Sequence, residues 1–466
     1  MALPDGPRAL SIWQRLQWIA TPFSFMRACH RQYGDCFTIR LDPKFGPLLL
    51  FSHPEALQVI LTNDDGKLFD APGSLNVVLE LITGKQSVFG LSGERHRRAR
   101  QLLMPPFHGE RMRSYGSLIR DITEQVMDEY KTAQPFPARK PMQSISLRVI
   151  LRAVFGLTGG SRYQRLEKLL GMMLDGLSSP LKASLLFFPV LRQDLGPLSP
   201  WGNFVRVRRQ IDQLIYDEIA ERRRNCSDPY TSTDTDERVS GCCPRNNILT
   251  LLMSARDEAG EALSDIELRD ELMTLLIAGH ETTATALTWA LYWIHRFPPV
   301  RRRLWDELKS LGGNIDPSVV LRLPYLNAVC SEILRIHPVA LLTFPRVTRS
   351  QVQLMGVSLD PGTTVAGCIY LAHRRKDVYP DPEQFDPNRF LLRHFSPFEF
   401  LPFGGGIRRC IGMAFAQFEM KLVLSSILAR FDLALANTPS VHHRRRGLVS
   451  GPSPFRMTAE RMTNDR

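Results

Sequence analysis

Cys410 is the residue around which the chemistry of this sequence is arranged. It lies in the stretch FGGGIRRCIG, Phe403–Gly412, ahead of a segment with helical spacing. A thiol just before a helix meets unpaired N–H groups and the positive end of the helix dipole, and both favour thiolate. A thiolate held that way is a metal ligand or a nucleophile. The glycines at 404, 405 and 406 let the backbone turn tightly and approach a flat ligand closely. Arg408 is placed to pair with a carboxylate of whatever the thiolate binds. A glycine-rich turn around a structural cysteine is the competing reading of this stretch alone.

A second constellation is Ala278-Gly279-His280-Glu281-Thr282-Thr283, in the middle of the longest helical run. Gly and Thr weaken a helix, and an acid inside an apolar run is costly. Such local conflicts tend to mark functional sites. The pair His280-Glu281 does not start a zinc-protease motif, because Ala284 stands where H-E-x-x-H needs histidine. A carboxylate beside a hydroxyl suits a water-linked proton relay in a dry pocket. A helix kink, with threonine hydroxyls bonding the preceding turn, is the plainer alternative. His96 and Arg100, four apart in GERHRRARQLLMPPF, share a helix face, as do Glu332 and Arg335, three apart in a helix stopped at Pro338. Taken alone, a basic helix turn is a solvated face and an i,i+3 pair a weak surface contact.

These residues need elements to hold them. Residues 36–41 and 47–53 read as two strands joined by a short turn. Helical spacing follows at 53–63, around His96, and at 115–133, 144–156, 163–178 and 203–224. Residues 71–90, with Pro72, Gly73, Gly84 and Gly90, read as irregular with a short helix inside. Residues 179–202 are apolar and proline-rich, a loop packed on the core or an exposed contact. Residues 226–246, rich in Ser, Thr and Asp, read as a mobile loop inside one domain spanning 1–466. Ser264 with Glu267 fits a capping box that opens the run to Phe297, about 50 Å of helix. Residues 352–359 and 363–371 alternate like strands around Asp360-Pro361-Gly362. Residues 414–428 are helical, and 431–436 with 455–458 form a late hairpin.

The 466 residues carry 44% hydrophobic and 23% charged side chains, ordinary for a globular chain with a large core. Eight cysteines without C-x-x-C spacing show no disulfide framework and no structural zinc site, and point to the cytoplasm. The net charge of +12 is spread over short clusters, so nucleic acid is not the expected partner. No apolar run is long enough for a membrane span and no signal peptide is evident. Trp13, Leu16, Trp18 and Ile19 either pack on the body or touch a membrane surface.

Phe403, Gly406, Arg408, Cys410 and Gly412 match Phe-x-x-Gly-x-Arg-x-Cys-x-Gly. In this the sequence resembles the cytochrome P-450 family, the haem-thiolate monooxygenases, of the soluble bacterial type. The resemblance extends over nearly the whole chain. It implies a mainly α fold with a small β-sheet subdomain, built from about 30–70 and 346–371. Haem b would lie between the long helix and the cysteine loop. Cys410 would be the axial ligand, donating electron density that favours O–O cleavage. Ala278 and Gly279 would leave room over the haem, and Glu281 and Thr282 would supply protons. His96, Arg100, Arg346 and Arg408 would hold the propionates. Glu332, Arg335 and Arg389 would form a buried structural triad, although Asn388 stands where many members have Glu. Val339–Phe344 would line the pocket.

The implied reaction inserts one oxygen atom from dioxygen into a lipophilic substrate of fatty-acid or terpenoid type. The chain has no room for a flavin domain, so electrons would come from a ferredoxin or flavodoxin with its reductase. Arg97, Arg98, Arg374, Arg375, Lys376 and Arg409 would make the Cys410 side basic and suit an acidic donor. A monomer is expected. Three other readings are a haem-thiolate peroxygenase, a haem-thiolate isomerase and a non-enzymatic haem sensor. The first two relatives generally lack the acid–alcohol pair, and a sensor needs neither relay nor pocket.

Overall fold

The computed structural model describes residues 3–42, 46–130, 134–157, 159–177, 185, 188, 191–196, 199–227, 247–312, 316–436, 440–446 and 449–462. The expected mobile loop, from 228 onward, and most of 179–199 lie outside the described residues.

Helices dominate. The central one, Asp265–Arg296, is 32 residues long and is buried along most of both flanks. Its start is fixed as the sequence requires. The Ser264 hydroxyl accepts from the Glu267 N–H at 3.3 Å, and the Glu267 carboxylate accepts from the Ser264 N–H at 2.9 Å. Helix Arg139–Phe155 packs along it so closely that a Cβ on Gly279 would lie 3.0 Å from Ile150. Helix Pro200–Ser227 runs from Pro200, three residues before the expected start. Helix Met413–Arg430 follows the cysteine loop and joins the same core through Phe415, Phe418 and Ile427.

The strands are β1 (Cys36–Asp42), β2 (Gly46–Phe51), β3 (Phe69–Asp70), β4 (Phe136–Pro137), β5 (Arg346–Thr348), β6 (Val352–Leu354), β7 (Val357–Leu359), β8 (Thr364–Gly367), β9 (Phe431–Leu435), β10 (His443–Arg446), β11 (Val449–Pro452) and β12 (Arg456–Arg461). The largest sheet has the order β1-β2-β8-β5-β3. Its β2 and β8 run parallel, with Leu48 opposite Thr364 and Phe51 opposite Gly367. Leu49, Phe51 and Val365 pack one core with Leu57 and Ile60 of helix Pro54–Thr62. Phe37, Ile39 and Leu50 pack another with Phe23 and Met26 of helix Pro22–Tyr33.

Three expectations change. Residues 352–359 form a tight hairpin, β6–β7, because Met355 and Gly356 both take positive φ (52° and 77°) and reverse the chain. The strand after Pro361 stops at Gly367, and Ile369–Ala372 turns helical. The late β9–β12 pair gains β4 as a third strand, and β10–β11 is an additional hairpin. Trp18 and Ile19 are buried, while Trp13 and Leu16 are exposed. Among the described residues no helix is long and apolar enough to cross a membrane.

Candidate haem-thiolate site

The cysteine loop is a tight backbone construction. Gly404 and Gly406 have φ of 67° and 66°, values that side chains disfavour. A Cβ on Gly406 would also sit 2.0 Å from the Asp64 carboxylate. The Cys410 N–H donates to the Phe403 carbonyl at 3.0 Å, which closes the loop. Cys410 is accessible although the protein surrounds it, so its sulfur faces an internal space. Burial raises the thiol pKa, while the Gly412 N–H and the charges of Arg100 and Arg409 pull the other way. The helix N-terminus therefore does not make a free thiolate by itself. A metal cation would complete the deprotonation.

The middle of the central helix carries a group of half-buried residues. Leu275, Ala278, Gly279, Glu281 and Thr282 interrupt an otherwise buried run. The Thr282 hydroxyl donates to the Ala278 carbonyl one turn earlier, at 2.5 Å. The Glu281 carboxylate is bound by the Arg139 guanidinium and by Gln143 at 3.3 Å. His280 points elsewhere. It is buried, and burial, ahead of the Arg139 charge, lowers its pKa to about 3.

Four cationic or cation-forming groups converge on the same space. His96 and Arg100 lie on helix Gly93–Leu103, Arg346 on β5 and Arg408 on the cysteine loop. Burial first, then Arg408, Arg100 and Arg346, lower the His96 pKa to about 3. Burial and Arg346 lower that of Arg408 to about 10. Such mutual repulsion in a buried place fits a ligand bearing carboxylates. In this structure the guanidinium groups also do other work. Arg408 donates to the carbonyls of Ala71, Val88 and Leu91. Arg100 donates to the Arg409 carbonyl at 2.6 Å. Arg346, fully buried, binds Asp64 and the Gly405 carbonyl at 3.1 Å. The thiol, the basic cluster around it and the small residues of the central helix fit a flat dianionic metal macrocycle such as haem.

Glu332 and Arg335 make a bidentate pair at 2.6 and 2.8 Å, both fully buried. Arg389 Nε lies 3.4 Å from Glu332, and Glu332 also accepts the Asp386 N–H at 2.9 Å. Arg335 further donates to the His373 and Pro382 carbonyls at 2.8 and 2.9 Å. Asn388, the departure noted in sequence, bonds Asp386 at 3.0 Å and takes a bond from Arg303 at 2.7 Å.

A sequence profile of the cytochrome P450 family matches residues 4–459. The chain belongs to the cytochrome P450 family. It is 33% identical to cytochrome P450 135B1 of Mycobacterium tuberculosis over all of this chain and 93% of that protein. It is also 33% identical to cytochrome P450 138 of Mycobacterium bovis, over 97% of this chain and 94% of that one. A solved structure described as retinoic acid bound cyanobacterial CYP120A1 superposes with a TM-score of 0.81 at 24% identity, covering 99% of this chain and all of that chain, and so shares the fold. As a cytochrome P450 the chain is a haem-thiolate monooxygenase, an oxidoreductase of mainly helical fold.

Some contributors to the site carry no sequence signal. Asp64 is one acid in an ordinary Asn-Asp-Asp-Gly turn, and Arg139 opens a helix far from Glu281 in the chain. The supposed basic face also changes. Arg98 is held by Asp257 and Glu267, and Arg97 by Glu94. Arg374 pairs with Glu383, and Arg375 with Asp35 and Asp377. Arg374, Arg375 and Lys376 line a separate cleft against helix Pro22–Tyr33, while Arg409 remains exposed on the cysteine loop.

Proposed function

We propose that this P450 inserts one oxygen atom from dioxygen into a lipophilic, fatty-acid- or terpenoid-like molecule, with electrons from a separate acidic ferredoxin or flavodoxin and its reductase. The observation that carries the substrate reading is the apolar character of the half-buried residues about the site. Leu275 and Ala278 lie one turn apart on the face of Thr282. Val339, Leu341 and Leu342 are likewise partly buried, and the rings of Phe89 and Phe344 meet at 5.6 Å. The acid–alcohol pair favours the monooxygenase over a peroxygenase, an isomerase or a gas sensor. We take the chain as one haem-binding domain, monomeric and cytoplasmic.

Bound haem b supplies the iron that activates dioxygen. Cys410 would hold the iron, with the Gly412 N–H tempering the charge on sulfur. His96, Arg100, Arg346 and Arg408 would hold the propionates. Ala278 would keep the wall over the haem small. Glu281 and Thr282 would hold and move protons. Because Arg139 and Gln143 hold the carboxylate, Glu281 must loosen from them to pass a proton inward. The Thr282 hydroxyl, already donating to Ala278, has its lone pairs free to accept. Glu332, Arg335 and Arg389 would keep the floor of the site rigid.

The reduced, carbon monoxide-treated protein tests thiolate ligation: a strongly red-shifted Soret band is expected, and a band typical of histidine ligation overturns it. Titration with fatty acids and terpenoids, followed by isotopically labelled dioxygen and mass analysis of products, tests the substrate. No spin shift and no label in any lipid product would refute that class.

A further inference from the structure

Helix Pro22–Tyr33 places Ser24, Arg27 and Arg31 at i, i+3 and i+7, on one face. That face borders a cleft of about 1000 Å³, whose far wall is the segment from Leu371 to Gln384. None of its lining residues belongs to the Cys410 site. The wall carries Arg374, whose side chain is 7% exposed. Its position is fixed on several sides. The guanidinium stacks over Tyr370 at 4.0 Å, Nε meets Glu383 at 3.1 Å, and Nη2 donates to the Ile336 carbonyl at 2.6 Å. Nη1 is buried and has no acceptor among the described residues.

The acids of the cleft are mostly engaged already. Asp35 and Asp377 both pair with Arg375, at 2.5 and 2.8 Å, and Glu383 pairs with Arg374. Asp381 is the remaining carboxylate of the lining. Arg27, Arg31 and Lys376 have no carboxylate partner among the described residues. Burial lowers the Arg374 pKa, Tyr370 and Glu383 oppose that, and repulsion from Arg335 and Arg27 adds to it more weakly. An orphan N–H on a fixed, buried guanidinium is a costly group to leave unmet. With the exposed Arg27, Arg31 and Ser24 across the cleft, it makes a positively charged setting for a compact oxyanion.

We infer that the cleft between helix Pro22–Tyr33 and residues 371–384 is a binding site for a phosphate-type oxyanion, with Arg374 as the fixed cation of one wall and Arg27 and Arg31 as the exposed cations of the other. The phosphate group can come from a soluble ligand or from a lipid headgroup, and the chemistry is the same.

The test uses the full-length haem-loaded protein. Inorganic phosphate should raise its unfolding temperature saturably, whereas chloride at matched ionic strength should not. Arg27→Gln combined with Arg31→Gln changes two exposed side chains and should fold normally, with an unaltered reduced carbon monoxide spectrum. Its phosphate affinity should be about tenfold weaker or worse. Arg374→Lys keeps the charge but loses the planar guanidinium and its fixed position, and should weaken phosphate similarly. Vesicles of phosphatidylcholine with and without phosphatidic acid separate the sources. Binding to phosphatidic acid vesicles, lost in the double variant, assigns a lipid headgroup, and a response to free phosphate alone assigns a soluble ligand. No saturable response to phosphate or to those vesicles overturns the site. So does equal affinity in the double variant. If the double variant changes only the salt dependence of electron transfer from a donor protein, the cleft is a protein-docking face and the inference falls.

Discussion

Asp64 and Arg346, 282 residues apart in sequence, form a buried pair in which one carboxylate oxygen lies 2.7 Å from Nη2 and 2.9 Å from Nε. The same carboxylate accepts the Ile407 N–H at 3.1 Å, three residues before Cys410. Asp64 thus joins an arginine of the β5 strand to the cysteine loop. Removing it leaves Arg346 buried without its counter-charge, a change that costs about 3–5 kcal/mol in comparable pairs. Asp64→Ala should therefore lower stability by that order in chemical unfolding. It should also raise the fraction of protein whose reduced carbon monoxide band lacks the thiolate position. Unchanged stability and an unchanged spectrum would show that the loop holds itself.

Glu332 accepts from Arg335, from the Asp386 N–H and, at longer range, from Arg389. Glu332→Ala strips the acceptor that the fully buried Arg335 and the half-buried Arg389 share. The expected product is apoprotein, read as a low haem-to-protein absorbance ratio after purification. Normal haem content would exclude a role for this triad in forming the site.

Glu281 is bound to Arg139 and Gln143, while Thr282 bonds its own helix. Positioned proton donors contribute roughly 10²–10⁴-fold. Glu281→Gln should slow turnover by about 10²-fold and enlarge the solvent hydrogen-isotope effect, with haem content and the reduced carbon monoxide spectrum unchanged. Arg139→Ala should alter the same isotope effect in the other direction, because it frees the carboxylate. If Glu281→Gln leaves both rate and isotope effect alone, the pair is a helix kink and no relay.

What was legible in the sequence, and what was not, divides by the range of the interactions. The central helix was legible because its capping box is local, Ser264 with Glu267. The Cys410 loop was legible because Gly404 and Gly406 are needed within the same few residues. The hairpin at Met355-Gly356 was not, since a methionine with φ of 52° defies its local preference and is imposed by the pairing of Val352 with Leu359. Asp64 and Arg139 were invisible for another reason. Their partners lie 282 and 142 residues away, and no local pattern encodes such a meeting. The basic residues misled in the opposite sense. Arg98 and Arg375 read as free surface charge, yet each is bound by two carboxylates.

Glu419, on the helix behind Cys410, is buried, and desolvation raises its pKa to about 8. Its folded pKa is thus above that of the unfolded chain. The neutral acid favours folding, so its contribution is full below the unfolded carboxylate range and is lost as pH rises through about 8. Glu419→Gln mimics the neutral form and removes this dependence. The difference in unfolding temperature between variant and wild type should shift in favour of the variant from pH 5 to pH 9. Parallel curves across that range would mean that Glu419 stays in one protonation state.

The proposed electron donor supplies the last prediction. With Arg98, Arg374 and Arg375 already paired and Lys376 in the separate cleft, donor attraction falls chiefly to Arg409 and Arg97, of which Arg97 is shared with an exposed Glu94. Charges that steer a donor over solvent are screened within about 8 Å at physiological ionic strength. Turnover driven by an acidic ferredoxin should therefore fall as salt rises, through a higher apparent KM for the donor with kcat nearly constant. Arg409→Gln should flatten that salt dependence, while Arg374→Gln, in the separate cleft, should leave it as in the wild type. A salt response that is flat in the wild type would count against an acidic donor docking on this face.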